Sequence, residues 1–285
     1  MKNKIVVLGA SGFIGKALCN DLTKKNKNFL GYSSTECNLL YNEAVYKLND
    51  VINNDDIVVF ISALAPCKNN DMYKKNLTML SNLINALKNI KLKQIIYISS
   101  DAVYEDSNDL INEQYNKTSA NFHAKMHNER ENVITKYCNL ENINLTILRP
   151  TLVYGPGDTH NGYGPNKFIR DINNNKNIIL FGKGEEKRDH IYIKDVVSAV
   201  TISIEKNIIG NFTIATGNVI SFLDIAKIVC KVKNVSESMI RFKERNGPMP
   251  HNGYRAFDVS SFKKKTNLKY LEIEEGIRSS IKKLF

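Results

Sequence analysis

Gly9, Gly12 and Gly15 are spaced to hold an anion with backbone alone. They follow an apolar run, Val6, Val7 and Leu8, and Ala17, Leu18 and Leu22 then recur at helical intervals. That order reads as buried strand, tight turn and helix. A diphosphate set against such a turn meets free N–H groups at a helix N-terminus, where the helix dipole favours negative charge. Gly9 permits the turn, Gly12 lets the phosphate approach, and Gly15 lets the helix pack on the strand. Ser11, Phe13 and Ile14 complete the loop. The alternative is a glycine-rich turn with no ligand. The spacing and its place directly after an apolar strand predict a dinucleotide site.

His123 and His127 form a second group able to do chemistry. Four residues apart, they share one helix face with Glu131. Imidazole titrates near neutrality and moves protons without help. A pair at this spacing also suits a metal, but no third ligand with clear spacing accompanies it, and no metal is expected. Surface histidines are the plainer alternative.

The elements that must carry these residues follow from the apolar pattern. Strand candidates are 4–8, 28–32, 57–62, 94–98 and 144–148, and helix candidates are 13–25, 42–52, 71–89 and 122–139. Alternation with short links predicts an α/β fold, a doubly wound parallel sheet covered on both faces. Its ligands belong at the carboxyl ends of the strands. After Pro150 the texture changes, and residues 154–166 read as an irregular loop dense in Gly, Pro and Asn. A helix at 166–174, a strand near 178–181, a βα unit around 190–204, helices near 221–231 and 273–283, and a loop at 245–254 follow. We expect a dinucleotide-binding domain over 1–154 with returns near 188–218. Residues 155–187 and 219–285 are expected to form a smaller C-terminal substrate-binding cap.

A chain of 285 residues, 42% apolar and 24% charged, can bury a sizeable core. No apolar run reaches membrane-spanning length, and the first strand begins too early for a signal peptide. Five cysteines, Cys19, Cys37, Cys67, Cys138 and Cys230, are odd in number and widely spaced. They predict reduced thiols in a cytoplasm. The net charge of +11 comes from scattered lysines, with Lys263, Lys264 and Lys265 the only run of three. We expect no nucleic-acid partner and no membrane association. The positive field suits attraction of a doubly negative nucleotide.

Several segments together resemble the extended short-chain dehydrogenase/reductase family, the nucleotide-sugar epimerases, dehydratases and reductases. They are GASGFIG (9–15), DIVVFISALA (56–65) with Asn76 beyond it, YISSDAVYED (97–106), LRPTLVYGPGD (148–158), RDHIYIKDV (188–196) and FTIATGNVISFLDIA (212–226). The resemblance implies a Rossmann-type sheet, a nicotinamide coenzyme, and hydride transfer at a carbon of a nucleotide-linked sugar. It places Ser100 on the reacting hydroxyl, with a strand-terminal turn cap as its plainer role. It places Ala63 beside the coenzyme.

The family's Tyr-x-x-x-Lys pair is absent, and two registers fit the helix. One sets Asn121, Lys125 and Glu129 in the motif, the other His123, His127 and Glu131. The second is favoured because Val133 and Ile134 follow Glu131, as the helix core requires. His123 then takes the acid/base role, and His127 contacts the coenzyme ribose. Loss of the usual base also admits a different protein on the same scaffold, a coenzyme-binding sensor without turnover. Only half of the dehydratase Asp-Glu pair is present, at Asp101, which points to redox chemistry or epimerisation and leaves Asp101 for a sugar hydroxyl. Neither coenzyme signal stands after the second strand. Ser33 lies there, and Glu36 can reach back or equally stay solvated; NAD is expected, with NADP open. By resemblance, Asn166, Lys167, Arg188 and Arg255 hold the nucleotide sugar, and helices 71–89 and 122–139 pair two subunits in a homodimer.

Overall fold

The computed structural model describes residues 3–118, 120–158 and 162–282. Residues 159–161 of the expected loop and residue 283 of the last expected helix lie outside them. Along the chain run β1 (Ile5–Leu8), α1 (Phe13–Lys24), β2 (Phe29–Tyr32), α2 (Glu43–Val51), β3 (Ile57–Phe60), α3 (Asn70–Ala86) and β4 (Gln94–Ile98). Then come α4 (Phe122–Glu141), β5 (Asn144–Pro150), β6 (Leu152–Tyr154), α5 (Pro165–Asn173), β7 (Ile178–Phe181), β8 (Lys187–Tyr192) and α6 (Ile193–Glu205). The chain ends with β9 (Gly210–Ile214), β10 (Val219–Ser221), α7 (Phe222–Lys233), β11 (Ile240–Lys243), β12 (Tyr254–Arg255), α8 (Ser260–Thr266) and α9 (Ile273–Ile281).

The chain divides into two compact units. The first holds residues 1–105, 114–150 and 197–212, and the second 106–113, 151–196 and 213–285. The first is built on a six-stranded sheet in the order β2-β1-β3-β4-β5-β9. Strands β1 to β5 pair in parallel, with Val7 opposite both Gly31 and Val59, and Ile96 opposite Thr146. β1, β3 and β4 are buried along their whole length, as strands covered on both faces must be. Each such Val, Ile or Leu contributes about 1.5–3 kcal/mol by leaving water. Strand order reverses around β1, with β2 on one side and β3 on the other. A crevice opens at such a point beyond the carboxyl ends of the strands.

Local chemistry sets the helix boundaries near the site. Asn69 caps α3 by accepting from the Met72 N–H at 2.9 Å, and Asn121 caps α4 by accepting from Ala124 at 2.9 Å. α4 stops at Asn142, which takes the left-handed conformation. Asn76 in α3 reaches back to the loop after β3, accepting from Leu64 N–H and donating to Leu64 O. That loop holds Ala63.

The second unit contains a sheet in which β8 pairs with β10, β12 and β6, and a separate parallel pair of β7 and β11. β8 therefore lies with the second unit, and of the expected return only residues 197–212 belong with the first. Segment 106–113 also joins the second unit, because Ile111 bonds the backbone of Ala256 and Asp258. Strands β6, β10, β11 and β12 escaped the sequence reading because none is an unbroken apolar run of four residues. The Lys263–Lys265 run closes the last turn of α8, where cations offset the exposed carbonyl dipoles.

Candidate active site

The loop after β1 has the geometry its glycines require. Gly9 sits at φ +97, and a Cβ there would lie 2.9 Å from Ser62 N. Both Gly9 and Ala10 donate N–H to Tyr32 O, which ties the loop to β2. A Cβ on Gly15 would stand 2.0 Å from Gly9 O, so α1 meets the turn at backbone contact. Gly12 differs, because its Cβ would meet only Gly9 O at 3.4 Å. Ser11 and Gly12 are exposed, Phe13 and Ile14 half-buried, and no side chain caps α1. The first-turn amides of α1 are therefore available to an anion.

At the end of β2, Ser33 donates from N–H and hydroxyl to the Glu36 carboxylate, at 2.9 and 2.7 Å. These bonds hold the Glu36 carboxyl below its ordinary range. The exposed Glu36 carboxylate thus stands at the strand end, held to Ser33.

β4 delivers Ser100 and Asp101. Ser100 Oγ accepts from Ala102 N–H at 3.2 Å and caps a short 3₁₀ turn over Asp101–Val103. It also donates to Asp101 Oδ1 at 3.4 Å. Asp101 is buried.

α4 sets the residues of the two registers on different faces. Asn121 is exposed and serves as the cap, Lys125 and Glu129 are exposed, and the Lys125 amine sits over the Tyr73 ring. His123 is half-buried, while His127 and Glu131 are buried. The histidine register faces inward. His123 Nδ1 accepts from the Cys67 N–H at 3.3 Å, and its ring meets that of His127 edge-on at 4.7 Å. Burial pushes His123 below its ordinary value, and the Asp101 charge opposes that shift. His127 lies 2.7 Å by Nδ1 from the Tyr97 phenol oxygen. Burial holds His127 well below its ordinary value, and His123 and Arg130 push the same way. These effects all favour the neutral imidazole. Among the described residues no third metal ligand joins the pair.

Glu131 anchors this face. It accepts from Arg149 Nε and Nη2 at 2.8 and 2.7 Å, from Ser99 Oγ at 2.7 Å and from Lys117 Nζ at 2.5 Å. Arg149 also donates to the Tyr104 hydroxyl at 2.8 Å. The contacts with Arg149 and Lys117 pull the Glu131 carboxyl below its ordinary value despite its burial.

The second unit carries the other residues read from sequence. Asn166 is spent on the loop after β6, bonding Gly155 N–H, Gly155 O and Asp158. Lys167 pairs with Asp171 at 2.7 Å. Arg188 is buried beside Glu186 at 3.3 Å. Arg255 is buried and donates to Asp106 Oδ1 at 2.9 Å, and Asp106 also holds His251. Burial presses the His251 imidazole towards its neutral form, and the charges of Arg188 and Arg255 push the same way.

The family model for the NAD-dependent epimerase/dehydratase family matches residues 5–215. This chain belongs to the NAD-dependent epimerase/dehydratase family.

Members of this family resemble it over most of its length. A dTDP-D-glucose 4,6-dehydratase of Dictyostelium discoideum is 32% identical over 273 residues. The match takes in 82% of this chain and spans 62% of that relative's length. A putative UDP-glucose 4-epimerase of Methanocaldococcus jannaschii is 26% identical over 302 residues, 96% of each chain. The fold matches that of UDP-glucuronic acid 4-epimerase from Bacillus cereus, solved with UDP-glucuronic acid and NAD. There the TM-score is 0.85 at 22% identity, covering 99% of this chain and 98% of the other.

Within the family scaffold, sequence reasoning missed Tyr97, Arg130 and the partners of Glu131. Tyr97 sits in an apolar run and reads as core, and Arg130 reads as one more surface cation. The available signal was position: Arg130 falls seven residues after His123, on the same helix face. No described helix is long and apolar enough to cross a membrane.

Proposed function

We propose that this chain is an NAD-dependent oxidoreductase or epimerase acting on a nucleotide-linked sugar by hydride transfer. The observation that carries the reading is the inward α4 face, where His123 Nδ1 is held by the Cys67 amide and the Asp101 charge bears on the ring. An amide N–H only donates, so Nδ1 bears the lone pair and Nε2 the hydrogen. In that tautomer His123 donates to the oxygen on the reacting sugar carbon. Ser100 Oγ, turned away from its long contact with Asp101, donates to the same oxygen. Two donors stabilise the negative charge that grows there when hydride reaches the carbon of a keto sugar, and a proton from water completes the hydroxyl. Removing a proton from a sugar hydroxyl needs the Nε2 lone pair, and so requires the Cys67 contact to break.

The coenzyme supplies the hydride. Its diphosphate fits the glycine turn, where Gly12 leaves space and the α1 amides lack a side-chain cap. Ala63, on the loop pinned by Asn76, and Ser33 flank the coenzyme, and the Glu36 carboxylate favours NAD over a 2′-phosphate. His127 meets the ribose hydroxyls as a neutral group. In the second unit Arg188 and Arg255 supply guanidinium groups for a diphosphate. Asn166 shapes the adjoining loop, and Lys167 flanks it. Asp101 serves a sugar hydroxyl. α3 and α4 pack together in the first unit, and we assign them to a homodimer interface. Sedimentation as a monomer at micromolar concentration would exclude that assembly.

Turnover is tested by NADH and NADPH absorbance with a panel of UDP-, GDP- and dTDP-linked keto sugars. His123→Ala and Ser100→Ala should each slow the reaction by about 10²–10³-fold, the cost of losing one oxyanion donor. Equal rates in all three proteins would discard both roles. Tight NAD binding without product from any sugar would point instead to a coenzyme-binding sensor.

A further inference from the structure

Arg130 has no part in the chemistry above, yet its side chain is buried in the first unit with 1% exposure. One terminal nitrogen donates to Ser62 O at 2.9 Å. Its Nε and other terminal nitrogen are buried without a hydrogen-bond acceptor in good geometry. The guanidinium carbon lies 4.4 Å from the Phe60 ring centre and 5.5 Å from that of Tyr97. Burying a cation is costly, and a surface arginine would avoid the cost; here the guanidinium bears on the Tyr97 phenol both as a charge and as a donor. His127 stands one turn earlier on the same face, with the Tyr97 oxygen 2.7 Å from its Nδ1.

That short bond has two possible directions. The phenol can donate to an Nδ1 lone pair, which leaves the hydrogen on Nε2. Otherwise Nδ1–H donates to the phenol, which leaves a lone pair on Nε2 and sends the Tyr97 proton elsewhere. We propose that Arg130 is a positioning residue which, through Tyr97, fixes His127 as the tautomer carrying its hydrogen on Nε2.

The electrostatics support one direction. A fixed cation beside the phenol favours electron density on the oxygen side facing it and drives the hydroxyl proton away, towards His127. The other direction would aim that proton at a guanidinium. The same cation opposes a second proton on the imidazole. Burial pushes the Tyr97 phenol up to about 12, so it stays a donor even with Arg130 pulling it down. The other charged groups bearing on the pair are His123, edge-on to His127, and Glu131, whose charge is taken up by Arg149 and Lys117. A lysine donates in any orientation, whereas a neutral imidazole donates from Nε2 only in one tautomer. That this N–H serves a ribose hydroxyl rests on the oxidoreductase reading, but the tautomer does not.

The test is nitrogen-15 NMR of the coenzyme-free protein labelled at histidine, with the His127 signals identified by their loss in His127→Gln. We expect Nδ1 bare and Nε2 protonated, in a single tautomer. Tyr97→Phe and Arg130→Met should each bring in a resolved second tautomer, and Arg130→Lys should restore the original pattern. A wild-type His127 protonated on Nδ1 or on both nitrogens overturns the proposal, as does an unchanged pattern in Arg130→Met. Should Arg130→Met not fold, the wild-type tautomer and its retention in Arg130→Lys decide. Failure to bind NAD would overturn the proposed function and leave the tautomer result standing.

Discussion

Glu131 and Arg149 meet through two hydrogen bonds, 2.8 and 2.7 Å long, with both side chains almost wholly buried. β5 supplies the arginine and α4 the glutamate. Because Glu131 is eight residues from His123 and four from His127, the pair fixes the rotation of α4 and so decides which residues face inward.

Breaking the pair on one side should be severe. Arg149→Met leaves the Glu131 carboxylate buried with Lys117 and Ser99 alone, and the expected loss is about 3–5 kcal/mol. Urea unfolding measures it. Arg149→Met combined with Glu131→Leu should lose less than the single change, because no uncompensated charge remains.

The glycines should separate by role. A Cβ on Gly15 would sit 2.0 Å from Gly9 O, so Gly15→Ala should lower the melting temperature by many degrees or prevent folding. Gly12→Ala meets nothing closer than 3.4 Å and should fold like the native protein. Thermal denaturation followed by circular dichroism checks both.

His127 should make the fold acid-sensitive. Burial lowers its folded pKa well below 6.5, so below that pH the unfolded chain binds the extra proton. Stability is then fully present above pH 6.5 and is lost as pH falls. His190, held to about 3, works in the same sense, while Asp189, raised to about 6, works in the opposite one. Comparing native protein with His127→Gln cancels both. The gap between their unfolding free energies should change by about 1.4 kcal/mol per pH unit below the ordinary histidine value. Parallel curves would show that His127 titrates normally.

Glu36 should set coenzyme preference. Its carboxylate is held by both donors of Ser33 at the end of β2. Glu36→Ala should weaken NAD binding, and Glu36→Arg should shift preference towards NADP. Dissociation constants for the two coenzymes, measured side by side, decide.

The first unit was legible from sequence because its signals are long and redundant. β1, β3 and β4 are unbroken apolar runs, and the glycine triplet fits only one kind of turn. The buried face of α4 was legible too, since Val133 and Ile134 locate it beyond Glu131. What sequence hid was partnership across the fold. Nothing near Glu131 in the chain announces Arg149 or Ser99, and nothing near His127 announces Tyr97. The family resemblance pointed to Asn166, yet its amide is consumed by Gly155 and Asp158, contacts that depend on how the loop after β6 folds back. The second unit was harder because β6, β10, β11 and β12 are not unbroken apolar runs of four, and pairing rather than pattern makes them strands.

The central claim is that the glycine turn holds a nicotinamide coenzyme. Calorimetric titration of NAD into native protein and into Gly12→Asp tests it most directly. Saturable binding of one NAD per chain, abolished in a variant that keeps the native circular dichroism spectrum, is the predicted result. No binding to the native protein, or equal binding to the variant, would contradict it.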